Sequence, residues 1–235
     1  MNFQDTQLIG VLARAESTVS SLSDLLGGLV EKFAARGYSL YLVGGSVRDA
    51  LLGRLGNDLD FTTPARPDVV KEILDEWAET VWDTGIDFGT VSAAYKGQQI
   101  EITTFRSDSY DGQSRNPEVV YGDTLEGDLV RRDFKVNAMA IELLADASFT
   151  FHDPLHGLQD VADRVLDTPD KPEISFHDDP LRMLRAARFA SQLEFRVADR
   201  VVDAMRDMAG EIQRITVERV QVELDKLICG TAPWD

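Results

Sequence analysis

The stretch Leu42-Val43-Gly44-Gly45-Ser46-Val47-Arg48-Asp49, followed nine residues later by Asp58-Leu59-Asp60, constrains the fold more than any other feature of this chain. Tyr38 to Val43 reads as a strand that stops at the glycine pair. Ser46 to Gly53 reads as the first turns of a helix, and Asn57 to Thr62 as the next strand. Glycines let backbone N–H groups come close to a phosphate. Carboxylates two apart on a strand face the same way, roughly 6.5–7 Å from each other along it. Hard oxygen ligands of this kind suit Mg²⁺, which prefers carboxylates together with substrate phosphates. The combination reads as a nucleoside triphosphate site.

The surrounding pattern alternates helices and strands. Leu22, Leu25, Leu26, Leu29, Val30 and Phe33 recur at helical spacing over about 18–36, and Gly37 supplies the stop. Pro64 and Pro67 mark a loop, with Asp68 placed to cap a helix over 69–78. Val91–Lys96 and Gln99–Phe105 form a hairpin pattern split at Gly97-Gln98. Residues 107–123 are polar and contain Gly and Pro, the composition of a long functional loop. Ala138–Leu144 is apolar enough for a strand. Residues 167–172, Asp-Thr-Pro-Asp-Lys-Pro, have linker chemistry and mark a boundary. Beyond it the pattern is helical: 180–193 with Pro180 at the first position, then about 198–209 and 216–228.

Composition limits the partners. A hydrophobic share of 43% supports a globular core. No apolar run approaches the length of a membrane span, and the first residues lack the pattern of a signal peptide. A single cysteine, Cys229, rules out an intrachain disulfide framework and fits a reducing cytoplasm. The net charge of −17 cuts against a broad nucleic-acid footprint: either a polymer partner is absent, or arginines grip it locally, or the gripping surface lies outside this chain.

Four further groups carry chemistry. Arg48, one helical turn past Gly44-Gly45, can aim a guanidinium at the same phosphates. Glu101, in the alternating run Gln99 to Thr103, becomes a third carboxylate if its strand neighbours that of Asp58 and Asp60; otherwise it faces solvent. Arg131-Arg132-Asp133-Phe134 with Asn137 could hold a ribose or phosphate, or be a salt-bridged strand start. Asp178-Asp179-Pro180-Leu181-Arg182 opens a helix on which Arg182, Arg185 and Arg188 recur every third residue and share one broad face. Asp179 and Arg182 together can match the hydrogen-bonding edge of a base while the other arginines meet phosphates; the alternative is a capped helix with solvated arginines. His152 and His156, with Asp153 and Asp160, have the spacing of a tight turn rather than a metal site.

These residues resemble the motifs of class II (bacterial-type) CCA-adding tRNA nucleotidyltransferases and their poly(A) polymerase relatives. The glycine turn with Asp58-Leu59-Asp60 looks like the first motif, Arg131 to Ala138 the second, and Asp153-Pro154 to Asp160 the connecting one. Asp178 to Arg182, with Arg185 and Arg188, looks like the base-selecting motif, although the family usually has Glu where this chain has Asp178. Arg214 to Arg219 resembles a later helical signature, so the match runs in order over about 40–228.

The resemblance implies an α+β fold: a DNA polymerase beta-like nucleotidyltransferase head with a mixed sheet over residues 1–168, with 1–17 a loose extension, then an all-helical neck over 169–235. The body and tail domains of family members do not follow within these residues. It assigns Gly44, Gly45 and Arg48 to the triphosphate, and Asp58 and Asp60 to two Mg²⁺ ions with Glu101 as a further catalytic carboxylate. Arg132 goes to nucleotide binding, and Asp133 and Asn137 to the sugar. Asp179 and Arg182 become the protein template for C and A, with Arg185 and Arg188 beside them. The expected partners are CTP, ATP and the tRNA 3′ end. Poly(A) polymerase, CC-only and A-only enzymes are the close alternatives, and a non-catalytic nucleotide-binding module is the distant one.

Overall fold

A computed structural model describes residues 3–109, 118–122 and 124–233. The chain divides into two compact units, Met1–Arg131 with Asn137–Leu155, and Arg132–Val136 with His156–Asp235.

The first unit opens with α1 (Phe3–Ala35), which begins well before the position near 18 expected from the leucines. The apolar stripe extends upstream through Val11, Ala15 and Val19, all buried, before Leu22, Leu26, Leu29 and Phe33. Steps of three and four residues keep these side chains on one helix face. Ala15 is small and carries little hydropathy signal, which hid the earlier turns. Strand β1 (Leu40–Val43), helix α2 (Gly44–Leu51), strand β2 (Asp58–Thr63) and helix α3 (Pro67–Asp75) follow. Pro67 opens α3 behind Arg66, so Asp68 lies in the first turn instead of capping it. Next come β3 (Thr80–Trp82), β4 (Thr90–Tyr95) and β5 (Gln98–Thr104). Lys96 and Gly97 both have positive φ, 48° and 78°, which places the β4–β5 turn one residue earlier than Gly97-Gln98.

The flanks of the segment read as a loop are strands: β6 (Arg106–Ser109) pairs antiparallel with β7 (Glu118–Tyr121). The part of that reading at 110–117 and 123 lies outside the described residues. Helix α4 (Leu125–Val130), capped by Thr124 Oγ1 accepting from the Gly127 N–H, leads on to β8 (Ala140–Leu143) and β9 (Phe149–His152).

Seven strands form a mixed sheet in the order β3-β4-β5-β2-β1-β8-β9. Its one parallel pairing is β2 with β5; the other neighbours run antiparallel. Helix α2 packs on β1 and β2, and α3 on β4 and β5. Leu59 and Phe61 of β2, with Ile100 and Ile102 of β5, are buried on one side of the sheet. Alternation sends Asp58, Asp60 and Glu101 to the other side, where they are exposed. Further along that side, Val43 and Ala140 pack with Leu129 and Ala138.

The second unit contains α5 (Gly157–Asp163), β10 (Val165–Leu166), α6 (Pro172–Asp178), α7 (Leu181–Leu193), β11 (Arg196–Val197), α8 (Asp199–Asp207) and α9 (Val217–Ile228). It is helical apart from the two-residue parallel pair β10–β11. Pro180 caps α7 rather than occupying its first turn. Phe176, Met183, Val201 and Ala204 form its core cluster, and Phe134 meets Phe189 edge-on at 5.9 Å.

The segment with linker composition is tied down. Arg200 Nε donates to Asp167 Oδ1 at 2.7 Å and Arg200 Nη2 to the Thr168 carbonyl at 2.8 Å, while Lys135 Nζ donates to Asp167 Oδ2 at 2.8 Å. Burial pushes the Asp167 carboxyl up, but the bonds from Arg200 and Lys135 outweigh it and hold the group below the usual carboxylate range. A depressed folded-state pKa contributes stability above the unfolded value, about 3.9, and loses it as pH falls through the folded value. Asp167→Asn is therefore expected to lower Tm at pH 7, with the gap from the parent closing as pH drops below about 4 in a thermal-melt series.

Candidate active site

The glycine turn works through two different constraints. Gly44 has φ +67°, a left-handed value that side-chain-bearing residues adopt at a cost. Gly45 instead makes room: a Cβ there would sit 3.3 Å from Arg48 Nη2. The Arg48 guanidinium thus lies against the turn, as the sequence expectation required, but it is also gripped from behind. Arg48 Nε and Nη2 donate to the two oxygens of Asp49 at 3.0 Å each, and Nη1 donates to Asn137 Oδ1 at 2.6 Å. Arg48 and Asn137 are both buried, so this fork is a rigid one.

Ser46 ties the turn to the carboxylate strand. Pairing of β1 with β2 is recorded as far as Leu42 opposite Phe61, and β1 then ends at Val43. Beyond that point the Ser46 hydroxyl takes over: it accepts from the Asp60 N–H at 3.0 Å and donates to the Asp58 carbonyl at 3.4 Å. On the other edge of β2, Asp60 is the register partner of Glu101, one strand spacing away, about 4.8 Å. The neighbouring-strand condition for Glu101 is therefore met. Three carboxylates share one exposed face on adjacent strands, a strongly cation-attracting arrangement.

In the second unit, Arg132 is half-buried and precedes buried Asp133. Asp133 Oδ1 accepts from the Phe134 N–H at 2.8 Å, and Oδ2 receives Arg185 Nη2 at 2.6 Å. Burial would push the Arg185 guanidinium down, but the Asp133 and Glu223 carboxylates hold it above its ordinary value. Asp179 closes the start of α7: Oδ1 accepts from the Leu181 N–H at 3.1 Å, and Oδ2 from Arg219 at 2.9 Å. Arg182 Nη1 donates to Ser175 Oγ at 2.8 Å. Arg188 is buried and pairs with Glu223 at 3.2 Å. The three arginines share α7; Arg185 and Arg188 converge on Glu223 and Arg182 bonds to a hydroxyl, so the face is partnered rather than merely solvated. His156 has φ +60° at the start of α5, the backbone of a tight turn.

The model of the poly(A) polymerase head domain matches residues 40–167, more than half of the chain. The chain belongs to the class II CCA-adding enzyme and poly(A) polymerase family. A second model, described as the probable RNA and SrmB-binding site of polymerase A, matches residues 194–235. The CCA-adding enzyme of Listeria monocytogenes serovar 1/2a is 40% identical over 205 residues, covering 87% of this chain and 50% of that protein. The crystal structure of the Bacillus stearothermophilus CCA-adding enzyme in complex with CTP superposes with a TM-score of 0.76 at 36% identity, covering 88% of this chain and 49% of that one. A tRNA nucleotidyltransferase complexed with a primer tRNA and an incoming ATP analogue matches with a TM-score of 0.70 at 28% identity, covering 89% and 56%. The chain spans about half the length of the curated relatives it matches. The fold is that of this family's nucleotidyltransferase head, with a helical region after it.

Within that family frame, sequence reasoning passed over three side chains that shape the site. Asp49 was visible as the neighbour of Arg48, but its bidentate hold needed the helix geometry. Ser46 drew no reading of its own, because its bonds to Asp60 and Asp58 depend on how the turn meets the strand. Glu223 drew no reading either, and its burial is what distinguishes it from the other charged residues of α9.

Proposed function

We propose that this chain carries the nucleotidyl-transfer part of a tRNA nucleotidyltransferase that adds C, C and A to the tRNA 3′ end from CTP and ATP. The observation that carries the proposal is the shared exposed face of Asp58, Asp60 and Glu101, fastened through Ser46 to the glycine turn that holds Arg48. Residues 1–168 act as the head and 169–235 as the neck. Asp58 and Asp60 fit hard divalent ions, and among the described residues no group of three or more His, Cys, Asp and Glu side chains could hold a metal by itself. Such a site suits Mg²⁺ that completes its shell with water and phosphate oxygens. When bound, two Mg²⁺ ions would lower the pKa of the attacking 3′-hydroxyl and neutralise charge on the departing pyrophosphate.

The remaining work falls to the chain's own groups. Gly44, Gly45 and Arg48 bind the triphosphate and align its α-phosphate; Glu101 adds negative charge beside Asp60 and strengthens the hold on cations. Asp133 and Asn137 read the sugar, and Arg132 binds the nucleotide. Asp179 and Arg182 present an acceptor and donors to the base edge of C or A, flanked by Arg185 and Arg188. Positioning and fixed charge supply most of the acceleration. Among the described residues no helix is long and apolar enough to cross a membrane, and the proposed substrates place the reaction in the cytoplasm.

The test is to incubate the chain with Mg²⁺ and tRNA lacking its terminal CCA, supply CTP, ATP or both, and sequence the products. A CCA end is expected. A run of A identifies a poly(A) polymerase, CC or a single A the partial enzymes, and nucleotide binding without turnover a non-catalytic module. In the same assay Arg182→Ala is expected to reduce the preference for CTP over UTP by about tenfold or more; an unchanged preference would remove the template role.

A further inference from the structure

Glu223 is the side chain that α9 buries, while Val217, Val222, Leu224 and Ile228 of the same helix are exposed. An ionised carboxylate is costly to bury unless it is paired. Glu223 is paired twice: Oε2 lies 3.2 Å from Arg188 Nε, and Oε1 lies 3.3 Å from Arg188 Nη1 and 3.7 Å from Arg185 Nη1. Arg185 is consequently strung between two carboxylates, because its other edge holds Asp133 through Nε at 2.8 Å and Nη2 at 2.6 Å. Both guanidiniums lie over the Phe189 ring, with Cζ 4.2 Å (Arg188) and 5.2 Å (Arg185) from its centroid, which fixes their planes. One turn earlier on α9, Arg219 holds Asp179 in a separate bond.

We infer that Glu223 is a positioning residue for sugar discrimination, acting through Arg185 on the Asp133 carboxylate. This rests on the reading of Asp133 as a ribose contact. With Glu223 present, Arg185 is pulled from both sides and the Asp133 carboxylate is kept in one rotamer. Without that counter-pull Arg185 follows Asp133, and the carboxylate loses the fixed orientation that distinguishes a ribose from a deoxyribose. The Asp179–Arg219 and Arg182–Ser175 bonds do not pass through Glu223, so base choice is left as an internal control.

The experiment is titration calorimetry of the full chain with Mg-CTP, Mg-dCTP and Mg-UTP. Glu223→Gln is expected to reduce the CTP:dCTP affinity ratio by about tenfold while the CTP:UTP ratio stays within about twofold of the parent. Glu223→Asp, which keeps the charge but is shorter by one methylene, is expected to fold and to show a smaller loss in the same direction; it serves if the Gln variant does not fold. Val201→Ala, in the α8 core, supplies a destabilised control whose two ratios are expected to be unchanged. Unchanged sugar ratios in both Glu223 variants, or parallel losses in both ratios, overturn the inference. An unchanged CTP:dCTP ratio in Asp133→Ala overturns instead the ribose reading beneath it, and the inference with it.

Discussion

Asp60→Ala is expected to lower nucleotide incorporation by about 10³-fold or more, with Asp58→Ala close behind, while Tm moves by no more than about 2–4 °C. Each side chain is exposed, so removing it opens no cavity. The backbone bonds at this point are kept: the Asp60 N–H and the Asp58 carbonyl still meet Ser46 in the variants. Trimming one of three neighbouring acids also relieves repulsion along the sheet face, which works against any loss of stability. Single-turnover assays on a primer tRNA, read beside thermal melts, separate the two quantities. Parent-like incorporation in either variant would remove the carboxylates from the chemistry. A collapse of Tm would mean that they are structural.

Arg48→Ala is expected to combine a catalytic and a structural loss. The guanidinium is the cation that the Gly45 surface accommodates, so its removal should raise the apparent KM for CTP and ATP by about 10–100-fold. It also deprives Asn137, which is buried, of its 2.6 Å bond, at a cost of about 1–3 kcal/mol. Asp49 is more exposed and stays within 3.4 Å of Arg54, so its share of the cost is smaller. Arg48→Lys is expected to recover part of the stability and little of the affinity, because an ammonium cannot span both oxygens of Asp49 and reach Asn137. Initial-rate kinetics against each nucleotide, paired with denaturant melts, check both halves. A Lys variant with parent-like KM would show that charge alone is required and that the fork has no role in substrate binding.

Much of this was legible in the sequence because the informative residues are local. The glycine turn, the two aspartates and their strand lie within twenty-odd residues, and the period-two alternation of Gln99 to Thr103 already set Glu101 apart from Ile100 and Ile102. The strand pairing that seats Glu101 beside Asp60 is not local, and no feature of either segment specifies it. Short strands were the weakest signals. β3 and β9 have three and four residues, too few for alternation to stand out, and their place in the sheet comes from their neighbours. The bonds that tie down 167–172 were not legible from its Pro and Asp, because the groups that bind it, Arg200 and Lys135, lie 33 and 32 residues from Asp167. Buried charges were invisible for a related reason. Arg188 and Glu223 occupy helical positions that composition alone assigns to solvent, and their burial goes with their pairing.

The lone parallel contact in the sheet has a consequence for the order of assembly. Strands β1 and β2 are close in sequence, but β2 meets β5 only after α3, β3 and β4 have been laid down between them, a separation of 41 residues from Asp60 to Glu101. Loop closure over such a span is slow relative to turn formation. A newly made chain would thus possess its glycine turn and aspartate pair before the third acid arrives. Crossover docking, rather than the early hairpins, would then mark the moment at which the nascent polypeptide gains its full electronegative face.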